Sequence, residues 1–169
     1  DSLTVSASAG LKGEGHALTL GGGYVRSDGI SAYAGGSEPD GFRQWHLGGR
    51  GRLDLAAEWA LTAAGRYADS KVDFDGYPAP LYAFADTGEY QTTRQGSGRI
   101  GLDHAGSSVS LRAGLALSST RRDYYDPAGG SAPNYQTQGR GIAADLAGRA
   151  DLGSGVSLDF GADSEWTRF

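Results

Sequence analysis

The sequence contains no cysteine, no methionine and only five prolines. Without cysteine there is no disulfide scaffold, no thiol nucleophile and no zinc–thiolate centre. Nowhere do about 18 apolar residues follow one another, so no stretch reads as a transmembrane helix. No secretory leader is visible, and an exported protein would have lost it. The hydrophobic fraction, 38%, is low for a soluble core in 169 residues, and the mean hydropathy is −0.40. The net charge of −5 offers nucleic acid no general attraction, so no nucleic-acid partner is expected. One class escapes the hydropathy argument. In a transmembrane β-barrel only alternate strand residues meet lipid, and the others meet water or a plug.

What the chain has in abundance is glycine, 29 residues, together with nine Tyr and three Trp. It also has alternation. In SVSLRAGLALS, residues Val109, Leu111, Ala113, Leu115 and Leu117 share one strand face. Ser110, Arg112, Gly114, Ala116 and Ser118 share the other. GVSLDFGADSEW and SLTVSASAGL repeat the pattern, and five noisier segments follow it through Leu20, Trp45, Trp59, Ile100 and Ile142. Eight strands are expected, each about 9–13 residues long, the length a tilted strand needs to cross a bilayer. No segment has helical periodicity.

The connections alternate in length. Short ones fall near 12–15, 54–57, 104–107 and 153–155. Long ones, about 15–20 residues, fall near 26–42, 71–89 and 120–134, which is the pattern of short periplasmic turns and long outer loops. Tyr24, Trp45, Tyr67 and Trp166 sit toward the long loops and Trp59 toward the short turns, where interfacial aromatics belong. The polar faces carry both charge signs. Arg50, Arg52, Arg66, Arg99, Arg112, Arg140 and Arg149 are expected to face inward, because a lipid-facing Arg costs roughly 2–4 kcal/mol at mid-bilayer.

Strand direction bears on completeness. If the long loops lie outside, β-strands one and eight begin and end on the outer side, so Phe169 is not at the periplasmic position of a barrel's terminal aromatic. The fold class expected is therefore all-β: an antiparallel transmembrane β-barrel with eight up-and-down strands, forming part of a larger barrel. The competing expectation is a complete eight-stranded barrel whose lumen is filled by side chains, with an adhesive or structural role.

The loops SDGISAYAGGSEPDGF, VDFDGYPAPLYAFADTGEY and RRDYYDPAGG resemble outer loops of TonB-dependent outer-membrane receptors, and most of all those of the cobalamin transporter family. In that family the first loop ends in an acidic pair before Gly-Phe. The second carries an Asp after an aromatic, then Pro-rich spacing, then Asp-Thr. An aromatic-rich Tyr-Asp-Pro stretch comes later. All three occur here in order, and the likeness covers nearly all of residues 1–169. It implies a barrel segment corresponding to the second to ninth strands of a barrel of about 22, in the bacterial outer membrane. It further implies uptake of a corrinoid or similar large chelate, and TonB acting through a plug domain absent from these residues. Outer-membrane lipid and lipopolysaccharide would surround the wall.

The resemblance also implies calcium ordering of the first two loops. Glu38 and Asp40 match the acidic pair, and Asp75 and Asp86 match the two Asp positions. Hard Ca²⁺ takes about six to eight oxygen ligands, and four carboxylates from two loops would supply several. The chain departs from the family early in the first loop, where Ser31 stands at an Asp position with Asp28 nearby, and at Glu38, where Asp is usual. Substrate contact is expected at Tyr33, Tyr77, Tyr82 and Phe84, whose flat rings stack on a large planar ligand at low entropic cost. Tyr124 and Tyr125 are further candidates in the third loop. No enzyme is expected: His46 and Asp103 face inward, but no nucleophile elbow, paired-His spacing or phosphate loop accompanies them.

Overall fold

A computed structural model describes residues 1–37 and 39–169. Eight strands follow one another as β1 (Ser2–Gly13), β2 (His16–Ser27), β3 (Phe42–Ala56), β4 (Trp59–Gly76), β5 (Ala85–Ala105), β6 (Val109–Tyr125), β7 (Tyr135–Gly153) and β8 (Val156–Arg168). They form one antiparallel sheet in sequence order, with no helix among the described residues. β1 and β8 do not pair, so the sheet is open and the eight strands do not close on themselves.

The short connections fall where expected. At the β7–β8 hairpin, Gly153 pairs with Val156, and Ser154 and Gly155 both take positive φ, 53° and 77°. That is the backbone of a two-residue type I′ turn, whose twist matches that of the strands it joins. The long connections are shorter than expected, at 28–41, 77–84 and 126–134. The strands are correspondingly longer, from 12 residues in β1 to 21 in β5. Alternation continues past the aromatics: β4 runs nine residues beyond Tyr67, to Gly76.

Because register pairs side chains on one face, the alternation of each strand joins into two sheet-wide faces. One face is apolar. Leu11, Leu18, Gly51, Ala63, Ile100, Leu115 and Ala144 form a continuous row across β1 to β7. No second layer covers it. Val5, Leu20, Leu47, Ile100, Leu117, Leu158 and Trp166 are all more than two-fifths exposed, and the only buried apolar side chains among the described residues are Ala60 and Ala68. The other face is polar and internally paired. Arg99 forms a bidentate ion pair with Asp145 across β6. Asp103 accepts from Arg112 at 3.1 Å and lies 3.5 Å from Arg52. Arg149 reaches Asp159 at 3.5 Å.

Arg140 is a correction. It lies in register with Ser119 and Arg168, on the face of Ile142 and Trp166, and not with the inward arginines. The other six arginines share the polar face as expected.

The apolar band runs obliquely to the hydrogen-bond rows. Tyr24 and Trp45 are in register with Asp69, Arg94, Arg121 and Gln138. At the far side, the bordering aromatic Trp166 is in register with Ile142, four residues further along β7 than Gln138. A level aromatic border therefore requires tilted strands with a steady stagger.

Candidate functional site

Beyond the aromatic border, β3, β4 and β5 carry the first two long loops toward each other. Asp75, at the end of β4, is 8% exposed. Its Oδ2 accepts the Tyr33 amide at 2.7 Å and lies 3.2 Å from the Ser31 hydroxyl, and its Oδ1 accepts the Thr87 amide at 3.1 Å. One carboxylate thus binds the first loop to the base of β5. Asp40 Oδ2 accepts the Ala32 amide at 2.5 Å and closes the first loop on itself. Asp86 Oδ2 accepts the Ser37 amide at 2.9 Å, a second link between the loops.

Loop backbone has no ladder partners, and its amides must find acceptors elsewhere. These three carboxylates provide them. Burial pushes the Asp75 carboxyl up, but hydrogen bonds from the Thr87 and Tyr33 amides and the Ser31 hydroxyl outweigh it, and the group titrates below its ordinary value.

Three members of the sequence-derived ligand set are used here as acceptors for loop amides. Asp40, Asp75 and Asp86 all lie at the junction of the two loops, while Glu38 lies outside the described residues. Asp28 does not join them; it pairs with Arg26 at 2.8 Å. Asp40 Oδ1 is buried without a hydrogen-bond partner. A hard cation would satisfy that oxygen, and carboxylates are suitable donors. As arranged, however, the described residues contain no group of three or more His, Asp or Glu side chains able to hold one metal ion.

The expected substrate aromatics divide. Tyr33 and Phe84 meet edge to face with centroids 6.0 Å apart, and Tyr77 and Phe84 are 5.4 Å apart. Phe84 therefore joins both loops through a small aromatic cluster. Tyr82 stands apart at the tip, 71% exposed, beside Leu81 at 85%. Tyr124 and Tyr125 are strand residues, not loop-tip residues. Tyr125 stacks on Tyr90 at 4.6 Å, and Tyr124 lies 5.3 Å from Phe74.

One feature of this region escaped the sequence reading. Glu89 is 8% exposed, opposite Phe74 in the β4–β5 register, and the Tyr124 hydroxyl donates to its carboxylate. Burial, and then the charge of Asp126, pushes this carboxyl up. The available signal was its parity: Glu89 shares the polar face with Gln91 and Thr93 and pairs across to an aromatic.

His46 and Asp103 are not brought together. His46 is in register with Gly23 and Ala68, whereas Asp103 pairs with Ala60 and is occupied by Arg112. No protein-family model matches the chain, and no curated protein matches it.

Proposed function

We propose that the chain is a wall segment of a TonB-dependent outer-membrane receptor, most similar to the cobalamin transporters, which binds and imports a corrinoid or similar large chelate. The membrane part of this reading is supported by an apolar face with no covering layer. A soluble domain buries such a face against a second layer. Here lipid would cover it, with Tyr24, Trp45, Tyr67 and Trp166 at the outer border and Trp59 at the inner one. The polar face would then look into the lumen, toward a plug. The two unpaired edges support a barrel of more than eight strands, because an exposed edge leaves a row of backbone groups unsatisfied in lipid. The same openness weighs against the small complete barrel.

The observation that carries the receptor reading is the junction of the first two loops through Asp75 and Asp86, with Asp40 closing the first loop on itself. These are the positions that the resemblance assigns to calcium. Asp40 and Asp75 would hold the ion, with Glu38 and Asp86 as further oxygen donors. Calcium would supply charge neutralisation between carboxylates and order to both loops. Tyr33, Tyr77 and Phe84 would offer ring faces to a planar ligand, and Tyr82 would meet it first. Transport itself would need the plug and TonB.

The test is calorimetric titration of the full-length receptor with cobalamin, with calcium and with a chelator. Calcium-dependent tightening is expected. Absence of corrinoid binding in both conditions overturns the cobalamin reading. Equal binding with and without calcium overturns the calcium assignment alone.

A further inference from the structure

Above the aromatic border the apolar face turns basic. Arg26 on β2 is directly opposite Arg43 on β3, and Arg43 is directly opposite Lys71 on β4. Like charges facing each other across strands destabilise a sheet, so three in one row call for an anion. Two have acidic neighbours: Arg26 pairs with Asp28 at 2.8 Å, and Lys71 with Asp73 at 2.6 Å. Arg43, in the middle, has no carboxylate partner among the described residues. A cleft of about 550 Å³ opens there, lined by Tyr24, Arg26, Arg43 and Lys71, with Asp28 and Asp73 also on its wall. Further around, Arg94 faces Arg121 and Arg140 faces Arg168, but Arg94 is paired with Asp69 at 3.2 Å and Arg121 with Asp123 at 2.9 Å.

Position names the occupant. The row lies two residues beyond Tyr24 and Trp45, and below those aromatics the same face is Leu20 and Leu47. A molecule with phosphate at the row and acyl chains on the leucines matches both surfaces. Guanidinium groups bind phosphate in bidentate fashion and hold their charge at any working pH. We propose that Arg26, Arg43 and Lys71 form a binding site for the phosphate of a phosphorylated lipid in the outer leaflet, with Arg43 as its central donor. The site rests on the proposed membrane placement of the apolar face.

The test uses the full-length protein, phosphatidylcholine vesicles and lipid A as the probe. Flotation reports insertion, and native mass spectrometry of the extracted protein reports retained lipid A. Wild type is expected to retain diphosphorylated lipid A, and Arg43→Gln to retain about tenfold less, the loss of one charge-assisted contact. Arg43→Lys, which keeps the charge, should recover part of it, and heat-modified gel mobility verifies folding of each variant. Dephosphorylated lipid A should bind wild type no better than diphosphorylated lipid A binds Arg43→Gln. Equal retention of both lipids, or no effect of Arg43→Gln, overturns the site while leaving membrane placement intact. Displacement of lipid A by inorganic phosphate overturns it in favour of a small-anion site. Failure to float overturns the membrane placement, and the lipid site with it.

Discussion

Asp75 accepts the backbone amide of Tyr33 at 2.7 Å and that of Thr87 at 3.1 Å, so one side chain of β4 holds two segments that are 54 positions apart in the chain. Replacing it with Ala leaves the Tyr33 and Thr87 amides, both partly open to water, without their protein acceptor. Asp75→Ala is expected to speed hydrogen exchange at Tyr33 and Thr87 while exchange in the β6–β7 pairing stays unchanged. Unchanged exchange at Tyr33 would show that the loops are held by something else.

The same carboxyl carries a pH dependence. Its folded value lies below the ordinary 3.8, so its stabilising contribution is present above that value and disappears as pH falls through the folded value. Protection of the Tyr33 amide should therefore persist at neutral pH and fall in strong acid, and Asp75→Asn should flatten that profile.

Glu89 has the opposite sign. Its folded value is raised above 4.5, so the folded state binds the proton more tightly than the unfolded one. The group favours folding at pH below 4.5, and that advantage is lost as pH climbs through the folded value. Glu89→Gln should make stability of the upper β4–β6 region independent of this titration, with the variant gaining relative to wild type at neutral pH. Urea unfolding of the full-length protein in lipid, at two pH values, measures it.

The two sheet faces should respond differently to one substitution. Leu115→Arg, in the middle of the apolar band, is expected to cost roughly 2–4 kcal/mol in a bilayer, whereas Gln95→Arg on the polar face, opposite the uncharged Ala68 and Thr120, should be nearly neutral. Equal costs for the two would contradict lipid contact.

Phe84 touches both Tyr33 and Tyr77. Aromatic pairs contribute about 0.5–1.5 kcal/mol each beyond area, so in the proposed receptor Phe84→Ala should weaken corrinoid binding by roughly tenfold through loss of the cluster. Tyr82→Ala, outside the cluster, should have a smaller effect on calorimetric affinity.

Strand number, order and facing were legible because period-two alternation is written directly in segments such as 108–118 and 155–166. The strand ends were not. Asp73, Phe74 and Asp75 offer no apolar contrast, and only pairing with Glu89 and Tyr90 shows that β4 continues through them. Arg140 was misplaced because Gly139 and Gly141 flank it, so its face is read from Ile142 alone, whose parity it shares. At the loop junction, the residue types were legible but their use was not. Nothing local in the sequence shows that Asp75 meets the amide of Tyr33, since that bond depends on how two hairpins stand side by side.

The unequal strand lengths give the wall an uneven rim. β2 ends three residues past Tyr24, whereas β4 ends nine past Tyr67, and β5 begins 11 residues before Gly96, the partner of Tyr67. In a receptor, the flank at β1 and β2 would form a low sill and the flank at β4 and β5 a parapet. A bulky solute arriving from the medium would then have a preferred compass bearing, entering over the sill and coming to rest against the parapet.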